Sequence, residues 1–102
     1  SEYISRIPKY ISTPEIRINC INDSEKFILT EKLISYFSKK FDSNLIDGVR
    51  VNFKNGWALI RASNTQPVLV CRCEAETEKS LQNIKKIIFD KIKFFGGDKI
   101  EF

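Results

Sequence analysis

At 102 residues, with 42% hydrophobic and 29% charged side chains, the chain has apolar material for one domain with one modest core. No apolar run approaches the roughly 20 residues that a bilayer-crossing helix needs, and the first residues lack the basic-then-apolar pattern of a secretory signal, so no membrane partner and a cytoplasmic setting are expected. The net charge of +4 and pI near 9.0 suit an anionic partner, although a solvated lysine-rich surface is the commoner source of such a bias.

The chain starts at Ser1 without a Met, which suggests a piece of something longer. Residues 1–14 read as a lead-in segment interrupted by Pro8 and Pro14, and the domain proper spans 15–102. "EIRINCI" alternates, with Ile16, Ile18 and Cys20 on one face and Arg17 and Asn19 on the other, the pattern of a half-buried strand. The period then changes. Leu29, Leu33, Phe37 and Phe41 form a helical stripe with Tyr36 beside it. Asn22 followed by Glu25 resembles a capping box, and Lys39 and Lys40 suit the negative end of a helix from about 23 to 41.

Asp47-Gly48 marks a turn, and "VRVNF" after it alternates with Val49, Val51 and Phe53 inward. Asn55-Gly56 predicts a type I′ hairpin turn with positive φ at both residues, leading into the partner strand "WALIR". "VLVCRCEA" puts Leu69, Cys71 and Cys73 on one face and Val70, Arg72 and Glu74 on the other. Thr77 caps a last helix whose stripe is Leu81, Ile84, Ile88, Ile92 and Phe95, and Gly96-Gly97 stops it. The tail "DKIEF" adds a short strand or simply docks.

The order β-α-β-β-β-α predicts an α+β two-layer sandwich, a mainly antiparallel sheet with two helices on one face. Arg17, Asn19, Arg50, Asn52, Arg72 and Glu74 would populate the open face. Cys20, Cys71 and Cys73 are odd in number, lack C-x-x-C spacing and lie in strand-like runs. They read as buried free thiols in a reducing setting. The absence of His removes the commonest general base and metal ligand.

Between the last two long strands lies "RASNTQP", residues 61–67, with no aliphatic side chain larger than alanine. Arg61 ends a strand, so its backbone is held, and its planar fork of donors matches two phosphate oxygens at once. Ser63 and Thr65 add hydroxyls, and Asn64 adds an amide and tolerates left-handed backbone. Backbone N–H groups of residues 62–66 have no evident ladder partner and are available to an anion. Pro67 cannot donate, and it closes the loop directly into the next strand. This cup of donors suits a phosphate monoester of about −1.5 to −2 charge. A polar hairpin loop with nothing bound is an equal reading, because Ser, Asn and Thr are turn formers in their own right and no glycine-rich phosphate signature is present.

"GWALIRASNTQPVLVCRCEAET" resembles the C-terminal domain of the α-D-phosphohexomutases, in the bacterial phosphomannomutase/phosphoglucomutase branch. "YISTPEI" resembles the hinge leading into that domain, "DGVRVNF" the strand before its hairpin and "RASNTQP" its phosphate-binding loop, together covering most of residues 8 to 80. The resemblance implies a TBP-like α+β fold. It also implies a fourth domain that grips the substrate phosphate through positions matching Arg61, Ser63, Asn64 and Thr65. In that family a phosphoserine in the first domain, a Mg2+ site in the second and a sugar-recognition loop in the third do the chemistry. The implied partners are a hexose phosphate (mannose or glucose 1- or 6-phosphate) and the other three domains. Relatives acting on amino sugars tend to have Gly where Asn64 stands, and Gln66 replaces a common Glu. The chain has neither the family's serine-histidine motif nor an Asp-Gly-Asp metal motif, so it is expected to hold no catalytic residue and no metal ligand and to be inactive alone.

Two alternatives accompany that reading. A nucleic-acid-binding module would use the basic open face, but single-strand binders set aromatic platforms among their charges. Trp57, the one candidate, is expected to pack against a helix, so no nucleic-acid partner is expected. The other alternative is a ligand-free domain that buttresses a larger assembly.

Overall fold

Asn22 begins the first helix as its sequence predicts. In the computed structural model, which describes residues 10–45, 47–97 and the backbone of 100–101, Asn22 is extended and its side-chain oxygen accepts the Glu25 N–H at 2.9 Å. Helix α1 runs Asp23–Lys40, and Phe41 has already turned out of it. Acidic Asp23 and Glu25 occupy its first turn and Lys39 and Lys40 its last, both matched to the helix dipole. Helix α2, Glu78–Gly96, is capped by Thr77, whose hydroxyl accepts the Ser80 N–H at 3.1 Å. Gly97, at φ 56°, ends it in a conformation that a side chain would resist.

The strands are β1 (Ile11–Ser12), β2 (Ile16–Cys20), β3 (Ser43–Asn44), β4 (Val49–Phe53), β5 (Gly56–Ala62), β6 (Val68–Ala75) and β7 (Ile100–Glu101). Their order in the sheet is β3-β4-β5-β6-β2-β7, with β1 also pairing β6, and every pairing is antiparallel. Both helices cover one face. Leu29, Leu33 and Phe37 from α1 and Leu81, Ile84, Ile88 and Ile92 from α2 meet Ile18, Val49, Val51, Ala58, Ile60, Leu69, Cys71 and Cys73 in one core. The architecture is the α+β two-layer sandwich predicted from the alternation. β1 and β3 are additions, since a strand of two residues cannot display an alternating pattern, and β7 is the short strand that the tail "DKIEF" allowed, paired with β2. Pro8 and the rest of residues 1–9 lie outside the described residues.

β1 and β2 lie along the same edge of β6, with residues 13–15 between them. There the Thr13 N–H donates to the Cys73 carbonyl at 2.9 Å, and the Thr13 hydroxyl accepts the Cys73 N–H at 3.0 Å. A side chain thus completes a backbone ladder that the chain's detour would break.

Two sequence expectations need correction. The β4–β5 hairpin turns through Lys54 and Asn55, with Gly56 already in β5 opposite Phe53. Positive φ among the described residues is confined to Asp47 (55°), Gly48 (119°) and Gly97, so Asn55-Gly56 is not a type I′ turn. Gly56 is needed for proximity instead. A Cβ there would overlap the Glu74 carbonyl oxygen and lie 2.9 Å from Ile84 Cδ1. The second correction is Trp57. The inward positions of β5 are Ala58 and Ile60, so Trp57 lies on the open face away from both helices, with the Arg50 guanidinium 4.6 Å above its ring. Arg17, Asn19, Arg50 and Arg72 are exposed on that face as expected, and Asn52 and Glu74 are half-buried there.

No described helix is long and apolar enough to cross a membrane. Cys71 and Cys73 are buried and Cys20 is half-buried, all as free thiols. The Cys71 thiol is pushed up by its hydrogen bond with Cys73 and by burial, and burial also raises Cys20 against the opposing charge of Lys26.

Candidate functional site

The loop joining β5 to β6 spans residues 63–67 and is fixed at both ends by backbone hydrogen bonds. The Ser63 N–H donates to the Val68 carbonyl at 3.0 Å, closing the hairpin. The Val68 N–H donates to the Gln66 carbonyl at 2.8 Å, a three-residue turn centred on Pro67, whose ring restricts φ to the range such a turn uses. The Pro67 carbonyl accepts the Cys20 N–H at 2.8 Å, which ties the exit of the loop to β2.

Arg61 stands opposite Val70 in the strand pairing, on the open face next to the loop. Its half-buried side chain makes no hydrogen bond or ion pair among the described residues, so its donors are uncommitted. The Asp47-Gly48 turn presses against it: a Cβ on Gly48 would overlap the Ile60 carbonyl oxygen and lie 2.9 Å from Arg61 Cβ. The Ser63 hydroxyl accepts the Thr65 N–H at 3.3 Å and keeps its own proton available. Asn64 and Thr65 are exposed, and their side chains meet no partner among the described residues.

The expectation of free N–H groups along residues 62–66 is therefore too broad. Ser63 and Thr65 spend theirs inside the loop, and the Ser63–Val68 bond fixes an alternation in which the Ala62 N–H points away from β6 and from the loop. Within the loop, the N–H groups of Asn64 and Gln66 have no acceptor among the described residues. The structure does bring Arg61, Ser63, Asn64 and Thr65 together at one end of one hairpin.

The contacts of two residues with the loop escaped the sequence reading. Lys26, on the first turns of α1, is 2% exposed, and its ammonium donates to the carbonyls of Ser63 at 2.7 Å and Gln66 at 3.1 Å. Its other close contacts are Asp23 Oδ1 at 3.2 Å and the Phe27 ring at 4.6 Å. The signal was present: Lys26 continues the stripe of Leu29, Leu33 and Phe37 by helical spacing, but a lysine there reads as solvated. Arg17 is the second. Its Nη1 donates to Gln66 Oε1 at 2.7 Å, and a looser contact of 3.8 Å reaches Glu15. Gln66 thus serves as a neutral acceptor for a guanidinium beside the loop. The site carries Lys26 and Arg17 on the loop carbonyls and the Gln66 side chain, and among the described residues no carboxylate pairs with Arg61. Among the described residues no group of three His, Cys, Asp or Glu side chains is placed to hold a metal ion.

Residues 14–91 match the sequence profile of the family described as phosphoglucomutase/phosphomannomutase, C-terminal domain. A phosphomannomutase/phosphoglucomutase of Pseudomonas aeruginosa is 46% identical over 96 residues, covering 91% of this chain and 20% of that protein. A phosphoglucomutase of Neisseria gonorrhoeae is 39% identical over 87 residues, 83% of this chain and 19% of that protein. A phosphoglucosamine mutase of Methanocaldococcus jannaschii is 34% identical over 89 residues, 81% of this chain and 18% of that protein. The crystal structure of a phosphoglucomutase/phosphomannomutase family protein from Burkholderia thailandensis superposes with a TM-score of 0.76 at 28% identity, over 100% of this chain and 21% of that one. The chain spans about a fifth of the length of these relatives.

Proposed function

The chain belongs to the phosphoglucomutase/phosphomannomutase C-terminal domain family, and from that premise we propose that its Arg61–Pro67 loop grips the phosphate of a hexose phosphate in a longer mutase. The observation that carries this reading is the uncommitted donor set at the tip of the β5–β6 hairpin: the Arg61 guanidinium, the Ser63 and Thr65 hydroxyls, and the Asn64 and Gln66 N–H groups. Donors that are already fixed by backbone bonds and strand pairing do not have to be ordered by the ligand, which lowers the entropy cost of binding. The longer enzyme would move phosphate between O1 and O6 of mannose or glucose. A cup that reads the phosphate and ignores the sugar holds the substrate in either orientation. Contacts remote from the reacting centre also position the hydroxyl that reacts, which raises rate as well as affinity.

On this reading residues 15–102 are the phosphate-binding domain and 1–14 the hinge that lets it close over substrate. The phosphoserine, the Mg2+ and the sugar-recognition loop belong to the other three domains, and this chain alone does not catalyse. Turnover of glucose 1-phosphate by the purified chain would refute that last point. Nitrogen-15 amide shifts during titration with inorganic phosphate and with mannose 1-phosphate test the main one. Residues 61–66 should move with both ligands, and Arg61→Ala should abolish the response. A loop that stays silent at millimolar ligand would end the proposal.

One observation keeps a second reading alive. Trp57 and Arg50 share the open face with Arg17 and Arg72, the mixture that a single-stranded nucleic acid exploits. The ring is already covered on one side by the guanidinium, so one face is taken. Oligonucleotide binding that falls steeply with salt would favour this reading, and no binding at low salt would remove it.

A further inference from the structure

We propose that Lys26 is a positioning residue for the phosphate loop: its buried ammonium sets the peptide plane that aims the Asn64 N–H outward. The inference rests on the phosphate-binding reading above and adds to it a residue outside the loop. The argument begins with peptide geometry. In a trans peptide the carbonyl of one residue and the N–H of the next lie in one plane and point in opposite directions. Lys26 Nζ holds the Ser63 carbonyl at 2.7 Å. The N–H of that same peptide unit belongs to Asn64, so it must point away from Lys26. It has no acceptor among the described residues. Lys26 also takes the Gln66 carbonyl at 3.1 Å, so one cation grips both shoulders of the bend.

Burial makes this grip directional. At 2% exposure, with Asp23 at 3.2 Å and the Phe27 ring at 4.6 Å, the ammonium has few rotamers open to it and little water to trade for. A surface lysine would release a carbonyl readily, whereas this buried one would be left with Asp23 as its one polar partner among the described residues. If Lys26 were lost, nothing else among the described residues would hold the Ser63 carbonyl, and the 63–64 peptide would be free to rotate.

The test uses the whole 102-residue chain, titrated with inorganic phosphate and followed by amide shifts. Lys26→Met keeps the length and apolar bulk and removes the donors. It should weaken phosphate binding by roughly fivefold to tenfold, the scale of one ordinary hydrogen bond, and shrink the Asn64 amide response more than those of other loop amides. Lys26→Arg, which can still donate to both carbonyls, should recover part of the loss. In the unsubstituted chain the Lys26 Nζ–H signal should shift along the same phosphate isotherm as Asn64, a readout that survives if Lys26→Met fails to fold. Phosphate binding unchanged in Lys26→Met, or an Nζ signal that ignores phosphate, overturns the role of Lys26 and leaves the phosphate site standing. A silent loop in the unsubstituted chain overturns both.

Discussion

Replacing Gly48 with alanine should be among the most damaging single-methyl changes in the molecule. Two costs add. At φ 119° the residue occupies a region where a side chain is strained by about 1–3 kcal/mol. The new Cβ would also overlap the Ile60 carbonyl oxygen and crowd Arg61 Cβ at 2.9 Å and Arg61 Cα at 3.0 Å. These atoms belong to β5, which is paired on both sides and carries the 1%-exposed Ile60, so relief requires moving a central strand; such overpacking costs about 1–3 kcal/mol. The sum is about 2–6 kcal/mol, a large part of the roughly 5–15 kcal/mol that holds a domain of this size. Each kcal/mol moves Tm by about 4–8 °C at this length, so a fall of about 8 °C at the least, and of about 48 °C at the most, is expected in a calorimetric or circular-dichroism melt. Because the crowded backbone carries Arg61, phosphate binding below the transition should weaken as well. A Tm within about 5 °C of the parent, by the same scale, would show that β5 yields easily and that the close approach is not a constraint.

Four further outcomes are expected. Thr13→Val removes the acceptor of the Cys73 N–H in a buried stretch of ladder and should cost about 1–3 kcal/mol in urea denaturation; a loss within error would mean that the amide finds another partner. Arg61→Ala in the longer enzyme should lower kcat/KM by about 1.5–3 kcal/mol, and a value within about twofold of the parent would make Arg61 incidental. Trp57, the one tryptophan, should respond to acrylamide in the native state and change its emission in Arg50→Gln, whereas a shielded ring with unaltered emission would contradict its place on the open face. Alkylation at neutral pH should reach Cys20 first and slowly, because burial favours its protonated form, and should reach Cys71 and Cys73 only on unfolding.

Much of this architecture could be read from side-chain periodicity. The long strands and both helices bury one face each, and burial is what alternation and the helical stripe record. The Asn22 and Thr77 caps were also legible, because a cap is a local bond between residues three apart. What escaped depends on partners distant in the chain. Lys26 is buried because carbonyls 37 and 40 residues away meet its charge, and no window around it contains that information. Gly56 looked like a turn glycine beside Asn55, but its reason lies in Glu74 and Ile84 across the sheet. The expectation that Trp57 packs against a helix follows the other aromatics, which fall on helix stripes or inward strand positions; the strict alternation through Ala58 and Ile60 carries the better answer. In the loop the donor residues were visible from their chemistry. Which amides were spent internally was not, since that follows from how the bend folds onto Ser63 and Val68.

Strand β6 has a mechanical consequence. Near its end at Ala75 it is gripped by β1, and at its start, Val68, it closes the loop. A pull transmitted along β1 loads the cross-strand bonds together instead of peeling them singly, with the Thr13 bonds as an added rivet. If residues 1–14 act as the proposed hinge, tension along β1 would therefore swing the whole slab, and the tip of the β5–β6 hairpin at its opposite end would travel the farthest while keeping its shape.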